Sequence, residues 1–287
     1  MKVKKTIERI MNGLFFLCGM VAVISVIAIT LYMIICGVPA IKEIGIKDFL
    51  FGKVWKSTAK EPLYGILPFI LTSIYGTIGA VIIGVPIGLF TAIFLAKIAN
   101  KKVAGIVRPA VELLSGIPSV VYGLIGMVVL VPAIMKVFNL KNGTCLLAAI
   151  IVLAIMILPS IVTVSETAIL AVPKEYEEAS LALGATKIET IFKVTIPAAK
   201  SGIATGIVLG IGRAIGEAMA VMMVAGNVPN MPKMFSSVTF LTTAISKEMS
   251  YATGFQRDAL YSIGLVLFVF IMIINVVLNV FLKGREE

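Results

Sequence analysis

The chain has 287 residues, of which 59% are apolar and only 14% charged, and its mean hydropathy is +1.07. So few charges cannot cover the surface of a soluble domain of this size, so lipid is the solvent it is built for. The formal charge of +10 then reads through the positive-inside rule rather than as a nucleic-acid footprint.

A bilayer core needs about 20 apolar residues per helix, and six stretches qualify. The first, Leu14–Cys36, carries no charge and follows Lys2, Lys4, Lys5 and Arg9. Its apolar run is too long for a signal-peptide core and no clean small-x-small cleavage site follows, so it reads as an uncleaved helix spanning 13–37 behind a short N-terminus, 1–12. A polar external loop is expected over 38–61. The second span, Pro62–Ala96, is again uncharged.

Pro109–Met135 forms the third span, with Glu112 as its one charge. At helical spacing Glu112, Ser115, Gly116, Ser119 and Gly123 share a face, and Pro118 is expected to kink the helix near Leu114. Such a face suits either a polar pathway lining or hydrogen bonding between helices. The fourth span, Asn142–Pro173, holds only Glu166, placed near its end where a long side chain can snorkel to water.

Residues 171–200 are polar. Pro173 suits a first helical position, and Glu175, Glu177 and Glu178 lie in the first turns, where the helix dipole favours anions. Gly184 offers a left-handed stop. Thr186-Lys187-Ile188-Glu189 is a capping box that starts a second helix, and Pro197 closes the segment. The expected shape is helix, glycine turn, helix, with small residues Ala179, Ser180, Ala182 and Ala185 around the turn. That surface fits either a docking element or a structural hairpin.

The fifth span, Ser201–Pro232, contains Arg213 and Glu217. A charge at the bilayer centre costs about 2.5–3.5 kcal/mol on insertion scales. As i and i+4 on one helix the two are expected to pair, and Gly202, Gly206, Gly210 and Ala220 fall on the same arc. This is either a small-residue packing seam with a buried ion pair or a charged constriction on a translocation path. Residues 227–258 read as a longer external connection and Ala259–Leu282 as the sixth span. Inside segments carry 14 Lys/Arg and outside segments 10, which places both termini and the 171–200 loop in the cytoplasm.

Catalytic chemistry finds no support. The chain has no His, the spans contain no Asp, and Cys18, Cys36 and Cys145 are scattered, so neither a metal site nor an intramembrane protease can be assembled. A phosphate loop of the form Gly-x4-Gly-Lys-[Ser/Thr] is also absent, so ATP hydrolysis is expected on a separate chain. A non-transporting membrane scaffold would account for the glycine seams, but not for a docking loop beside buried charges.

Glu178-Ala179-Ser180, Gly184 after three residues, and Val194-Thr195-Ile196-Pro197 after nine more resemble the EAA loop of ABC-importer permeases. Ser180, Val194 and Ile196 are conservative departures. The resemblance implies an all-α polytopic protein with six transmembrane helices and the type I ABC importer permease (MetI-like) fold, its transmembrane domain spanning 63–283. It also implies that Glu178, Ala179, Ser180, Gly184 and Pro197 couple to a cytoplasmic ATPase. Gly212–Val221 and Val111–Gly123 resemble the permeases of phosphate importers, PstC-type. The PstA-type sister is similar through the loop, but its fifth span usually continues Gly-Glu-Thr-Ala-Pro, and Met219-Ala220-Val221 here favours the PstC type.

This likeness implies transport of inorganic phosphate, with sulfate, molybdate or phosphonate as alternative oxyanions. Arg213, Glu217, Glu112, Ser115 and Ser119 would line the path. In the expected cycle Glu217 neutralises Arg213 at rest, and phosphate competes for the guanidinium. The implied partners are a homologous PstA-type permease, two PstB-type ATPase subunits that bind ATP and Mg, and an extracytoplasmic PstS-type phosphate-binding protein. No cofactor and no metal is expected on this chain itself.

Overall fold

The computed structural model describes the backbone of residues 2–283, and side chains over 10–277 together with Glu8. The basic residues of both termini used in the charge argument (Lys2, Lys4, Lys5, Arg9, Lys283, Arg285) lie outside the residues whose side chains are described. Helix α1 (Lys2–Ile44) carries the first apolar run, and none of its most apolar window is buried by the rest of the chain. Its main packing partner is the last helix, and its end, at Ile41 and Ile44, also rests on the apolar cluster of the segment that follows.

The segment after it is ordered rather than a plain polar loop. Helix α2 (Ile46–Phe51) leads into a two-stranded antiparallel ribbon, β1 (Trp55–Lys56) and β2 (Leu63–Tyr64), with Trp55 opposite Tyr64. Gly52 and Gly65 lie so close that a Cβ on either would enter the other's backbone. Phe49, Trp55 and Tyr64 form an apolar cluster with Ile66 and Phe69, and the Trp55 ring meets Tyr64 edge-on at 5.3 Å. The apolar residues hidden in this nominally polar segment are what order it.

Helix α3 (Leu67–Ile93) crosses the membrane and passes into a π-helical turn, Phe94–Ile98. Helix α4 (Lys101–Gly116) is N-capped by Asn100, whose side chain accepts from the Val103 amide at 2.8 Å. The third span differs from expectation. It begins at Ser119, not Pro109: Ile117 and Pro118 are extended, and α5 (Ser119–Ile125), a π turn Gly126–Leu130 and α6 (Val131–Phe138) follow. Pro118 forces the residue before it out of the helical region, so the expected kink is a full break.

Helix α7 (Leu146–Leu170) is the axis of the bundle and packs on α3, α4 and α11. Its Ile150, Ile157 and Ile161 face Gly79, Gly84 and Gly88 of α3, which leaves no room for a Cβ at those glycines. The polar hairpin follows as α8 (Lys174–Ala182), α9 (Lys187–Thr190), a π turn Ile191–Thr195 and α10 (Ile196–Ala198). The chain then bends by 71° into α11 (Lys200–Gly216). After a second break come α12 (Met219–Val224), α13 (Leu241–Glu248) and α14 (Gly254–Lys283), the last lying against α1.

Among the described residues five helices are long and apolar enough to cross a membrane, or six once the segment bent before α11 is included. Most of 227–258 turns back into the bundle: the Leu146 and Leu147 amides donate to Ser236 and Met234 carbonyls, and Leu241, Thr243 and Ala244 of α13 are buried.

Candidate functional site

The hairpin forms much as its sequence dictates. Pro173 is the N-cap rather than the first helical residue, with ψ 136°. Gly184 has φ +88°, a region that L side chains rarely enter, and so turns the chain. The Thr186 hydroxyl accepts from the Glu189 amide at 3.3 Å, while the Glu189 carboxylate accepts from the Thr186 amide at 3.0 Å. That amide first, then the Thr186 hydroxyl and Lys193, hold the Glu189 carboxyl below the usual carboxylate range. The cap is therefore complete at neutral pH and weakens only as pH falls through that lowered value.

Ser180, where the family motif has Ala, pairs its hydroxyl with Thr190 at 3.0 Å and ties α8 to α9. No residue of α8 is buried. Tyr176, Leu181, Ile188 and Phe192 are exposed and Leu183 is 90% exposed. Glu178, Ala179, Gly184 and Pro197 are likewise open. Large apolar side chains gathered on a polar segment form the kind of patch that marks an interaction surface.

The intramembrane charges are arranged differently from expectation. Helix α11 stops at Gly216; Glu217 is its C-cap with ψ 128°, so Arg213 and Glu217 do not share a helical face. No ion pair joins them among the described residues. The Glu217 carboxylate turns forward and accepts from the Ala220 amide at 3.0 Å, and its carbonyl accepts from Thr242 Oγ1 at 2.8 Å. A capping bond to a free amide and a bond from α13 compete with the i,i+4 pairing and win.

The small-residue arc also divides. A Cβ on Gly206 would sit 3.2 Å from Ser165 Oγ, and one on Gly210 3.0 Å from Ile161, so these glycines form a packing seam with α7. Gly212 and Gly216 meet nothing within 4 Å. Arg213 projects beside that open strip, half-buried, and lies within electrostatic reach of Tyr122.

The two breaks lie close together. Helices α5 and α12 pack so tightly that a Cβ on Gly123 would be 2.9 Å from Ala220 Cα. The Tyr122 hydroxyl donates to the Leu114 carbonyl at 2.6 Å, across the Ile117–Pro118 break. Glu112, Ser115 and Gly116 are exposed on α4, whereas Ser119 is half-buried at the start of α5; the predicted single stripe is thus two surfaces on either side of a break.

Several polar contacts were not foreseen. Glu166 does not snorkel. It is buried and accepts from Arg108 Nε at 2.6 Å, pinning α4 to α7. Glu177 accepts from Lys97 and, at 3.0 Å, from the hydroxyl of buried Thr195. Glu248 accepts from Trp55 Nε1 at 3.1 Å, Ser57 Oγ at 2.9 Å and Gln256 Nε2 at 3.0 Å. Each joins residues far apart in sequence, which spacing along the chain does not reveal.

Residues 84–284 match the family described as "Binding-protein-dependent transport system inner membrane component". The chain belongs to that family. It is 41% identical over 267 residues to the probable ABC transporter permease protein YqgH of Bacillus subtilis, covering 90% of this chain and 86% of that one. It is 36% identical to the phosphate transport system permease protein PstC of Pasteurella multocida (81% and 78% covered). With the probable PstC of Methanocaldococcus jannaschii the identity is 32% (100% and 98% covered).

Among solved structures, the fold matches the inward-facing MetNI methionine transporter with TM-score 0.63 at 20% identity, over 76% of this chain and 95% of that one. A bacterial alginate ABC transporter matches with TM-score 0.63 at 17% identity, over 98% and 96%. The chain is thus a PstC-type, multi-pass inner-membrane permease of the type I fold. The relatives are permease components of ABC transporters, and the family's description ties such components to a binding protein.

Proposed function

We propose that this permease carries inorganic phosphate across the cytoplasmic membrane. The observation that carries the reading is its 36% and 32% identity to phosphate permeases over most of both chains. The site chemistry supports it. The Arg213 guanidinium presents a planar fork that can hold two phosphate oxygens at once. With Glu217 committed to the α12 amide, the guanidinium lacks an intramolecular carboxylate among the described residues. A passing oxyanion would supply the missing counter-charge. Glu112, Ser115 and Ser119, flanking the neighbouring break, would offer further polar contacts, and Glu217 would hold the break in shape rather than neutralise Arg213.

The remaining parts follow from this assignment. The hairpin 173–197 faces the cytoplasm, with both termini on the same side. Its exposed apolar residues and Glu178, Ala179, Ser180, Gly184 and Pro197 dock on one of two PstB-type ATPase subunits, which bind ATP and Mg. A PstA-type permease completes the path, and a PstS-type protein delivers phosphate from outside. Replacing Arg213 by Gln in the reconstituted complex should lower phosphate uptake by about 10- to 100-fold, the worth of one charge-assisted hydrogen bond of about 1.5–3 kcal/mol. Subunit composition should not change. Undiminished uptake by an intact Arg213→Gln complex would remove Arg213 from the path.

A further inference from the structure

The hairpin is attached to the bundle covalently at two points. At one end Val172 and Pro173 leave α7; at the other, Ala199 carries the 71° bend into α11. Both are non-helical joints, Pro173 with ψ 136° and Ala199 with ψ 1°. A body held at two points can still rotate about the line through them. Ile191 and Ile196 of the hairpin also share an apolar cluster with Ala92 and Ile93 of α3, but no residue of α8 belongs to it, so that cluster alone does not carry a force on α8 to the membrane helices.

A polar attachment joins α8 itself to the bundle. Glu177, on the first turn of α8, accepts from Lys97 and from Thr195 Oγ1. Lys97 belongs to α3's own π-helical end, Phe94–Ile98, and Thr195 to the hairpin's π turn, Ile191–Thr195. A π turn inserts one residue and so rotates the side chains beyond it relative to an uninterrupted helix. Two such turns, in unrelated parts of the chain, converge on one carboxylate. The pair is well shielded, with Lys97 16% and Glu177 24% exposed. Buried Thr195 spends its hydroxyl on the same oxygen. Helix α3 is also the bundle member most extensively packed on α7, and at its far end Ser73 Oγ accepts from the Leu241 amide of α13.

We propose that Glu177, clamped between Lys97 and Thr195, is the positioning residue through which movement of the hairpin is transmitted to α3, so that the hairpin and the transmembrane core move as one body. This rests on the reading of the hairpin as the ATPase-docking element. It assigns Lys97, Glu177 and Thr195 a role separate from the docking surface itself: they act behind that surface and touch neither ATPase nor transported anion.

The test uses the complete complex in proteoliposomes, reading phosphate uptake and ATP hydrolysis together. Lys97→Met and Glu177→Gln should leave the ATPase bound and hydrolysing but lower phosphate moved per ATP by at least about fivefold, the lower end of typical coupling between sites. Lys97→Arg should retain the ratio, and the exchange Lys97→Glu with Glu177→Lys should recover most of it. An unchanged ratio in intact Lys97→Met complex overturns the proposal. So does loss of the ATPase from the single variants that the charge exchange fails to restore, because the pair would then serve assembly alone. Crosslinking from Leu183→Cys in a cysteine-free background tests the docking reading separately. A crosslink to the ATPase combined with a normal ratio in Lys97→Met refutes the clamp only; absence of the crosslink refutes both.

Discussion

Arg108 and Glu166 show how a membrane protein handles a carboxylate it cannot leave bare. Glu166 is 8% exposed on the central helix, and among the described residues the guanidinium of Arg108 is what offsets its desolvation. Removing one partner of a fully buried pair costs about 3–5 kcal/mol. Because the Arg108 side chain is 44% exposed, solvent screening should reduce this to about 1–3 kcal/mol. We therefore expect Arg108→Met to lower the unfolding temperature in detergent, and the double variant Arg108→Met with Glu166→Leu to recover part of the loss. A double variant no more stable than the single would show that the ion pair is not what α4 depends on. Sequence alone made Glu166 a snorkelling residue, because its position in the span was visible and its three-dimensional neighbour was not. By contrast Gly184 and the Thr186–Glu189 box were fully legible: they answer to backbone dihedrals and hydrogen bonds within four residues.

At the scale of elements, the expected long third and fifth helices are each divided. In both cases the physics is local and partly readable. Pro118 excludes the helical conformation from Ile117, so a break rather than a kink was within reach of the sequence. Gly216 weakens the end of α11, but nothing nearby in sequence states that Glu217 will cap α12 and bond α13. The two breaks come together because α5 and α12 pack backbone to backbone at Gly123 and Ala220. A methyl group at Gly123 must push those helices apart, and overpacking of this kind costs about 1–3 kcal/mol. Gly123→Ala should therefore reduce both thermal stability and transport, whereas Gly105→Ala, inside α4 where a Cβ meets nothing within 4 Å, should leave transport unchanged and raise stability slightly, by up to about 1 kcal/mol. Equal behaviour of the two variants would show that close approach of α5 and α12 is dispensable.

For the whole molecule, the ends of the bundle are built by different means. The hairpin end keeps large apolar residues exposed. The far end is closed by the ribbon, α13 and the start of α14, gathered on Glu248 by three donors. Hydrogen bonds to a charged group contribute about 1.5–3 kcal/mol each. Glu248→Ala leaves the Trp55 and Gln256 donors without that acceptor, and amide hydrogen exchange over residues 53–65 should accelerate by at least about tenfold, since 1.4 kcal/mol corresponds to that factor. Unaltered exchange there would mean that the aromatic cluster around Phe49, Trp55 and Tyr64 holds the cap unaided.

The amino-acid sequence by itself determined that the chain lives in lipid, that it holds several apolar runs long enough to cross, and that a capped helical hairpin interrupts them. Those features follow from hydropathy, dihedral preference and hydrogen bonds that act over a turn or two. Only the tertiary structure decided which polar groups meet. It set Glu217 apart from Arg213, joined Glu166 to Arg108, and brought Lys97 and Thr195 to Glu177. A polar group in a low-dielectric bundle takes whichever donor or acceptor the packing delivers. The packing of glycine-faced helices around α7 depends on contacts between residues tens to hundreds of positions apart.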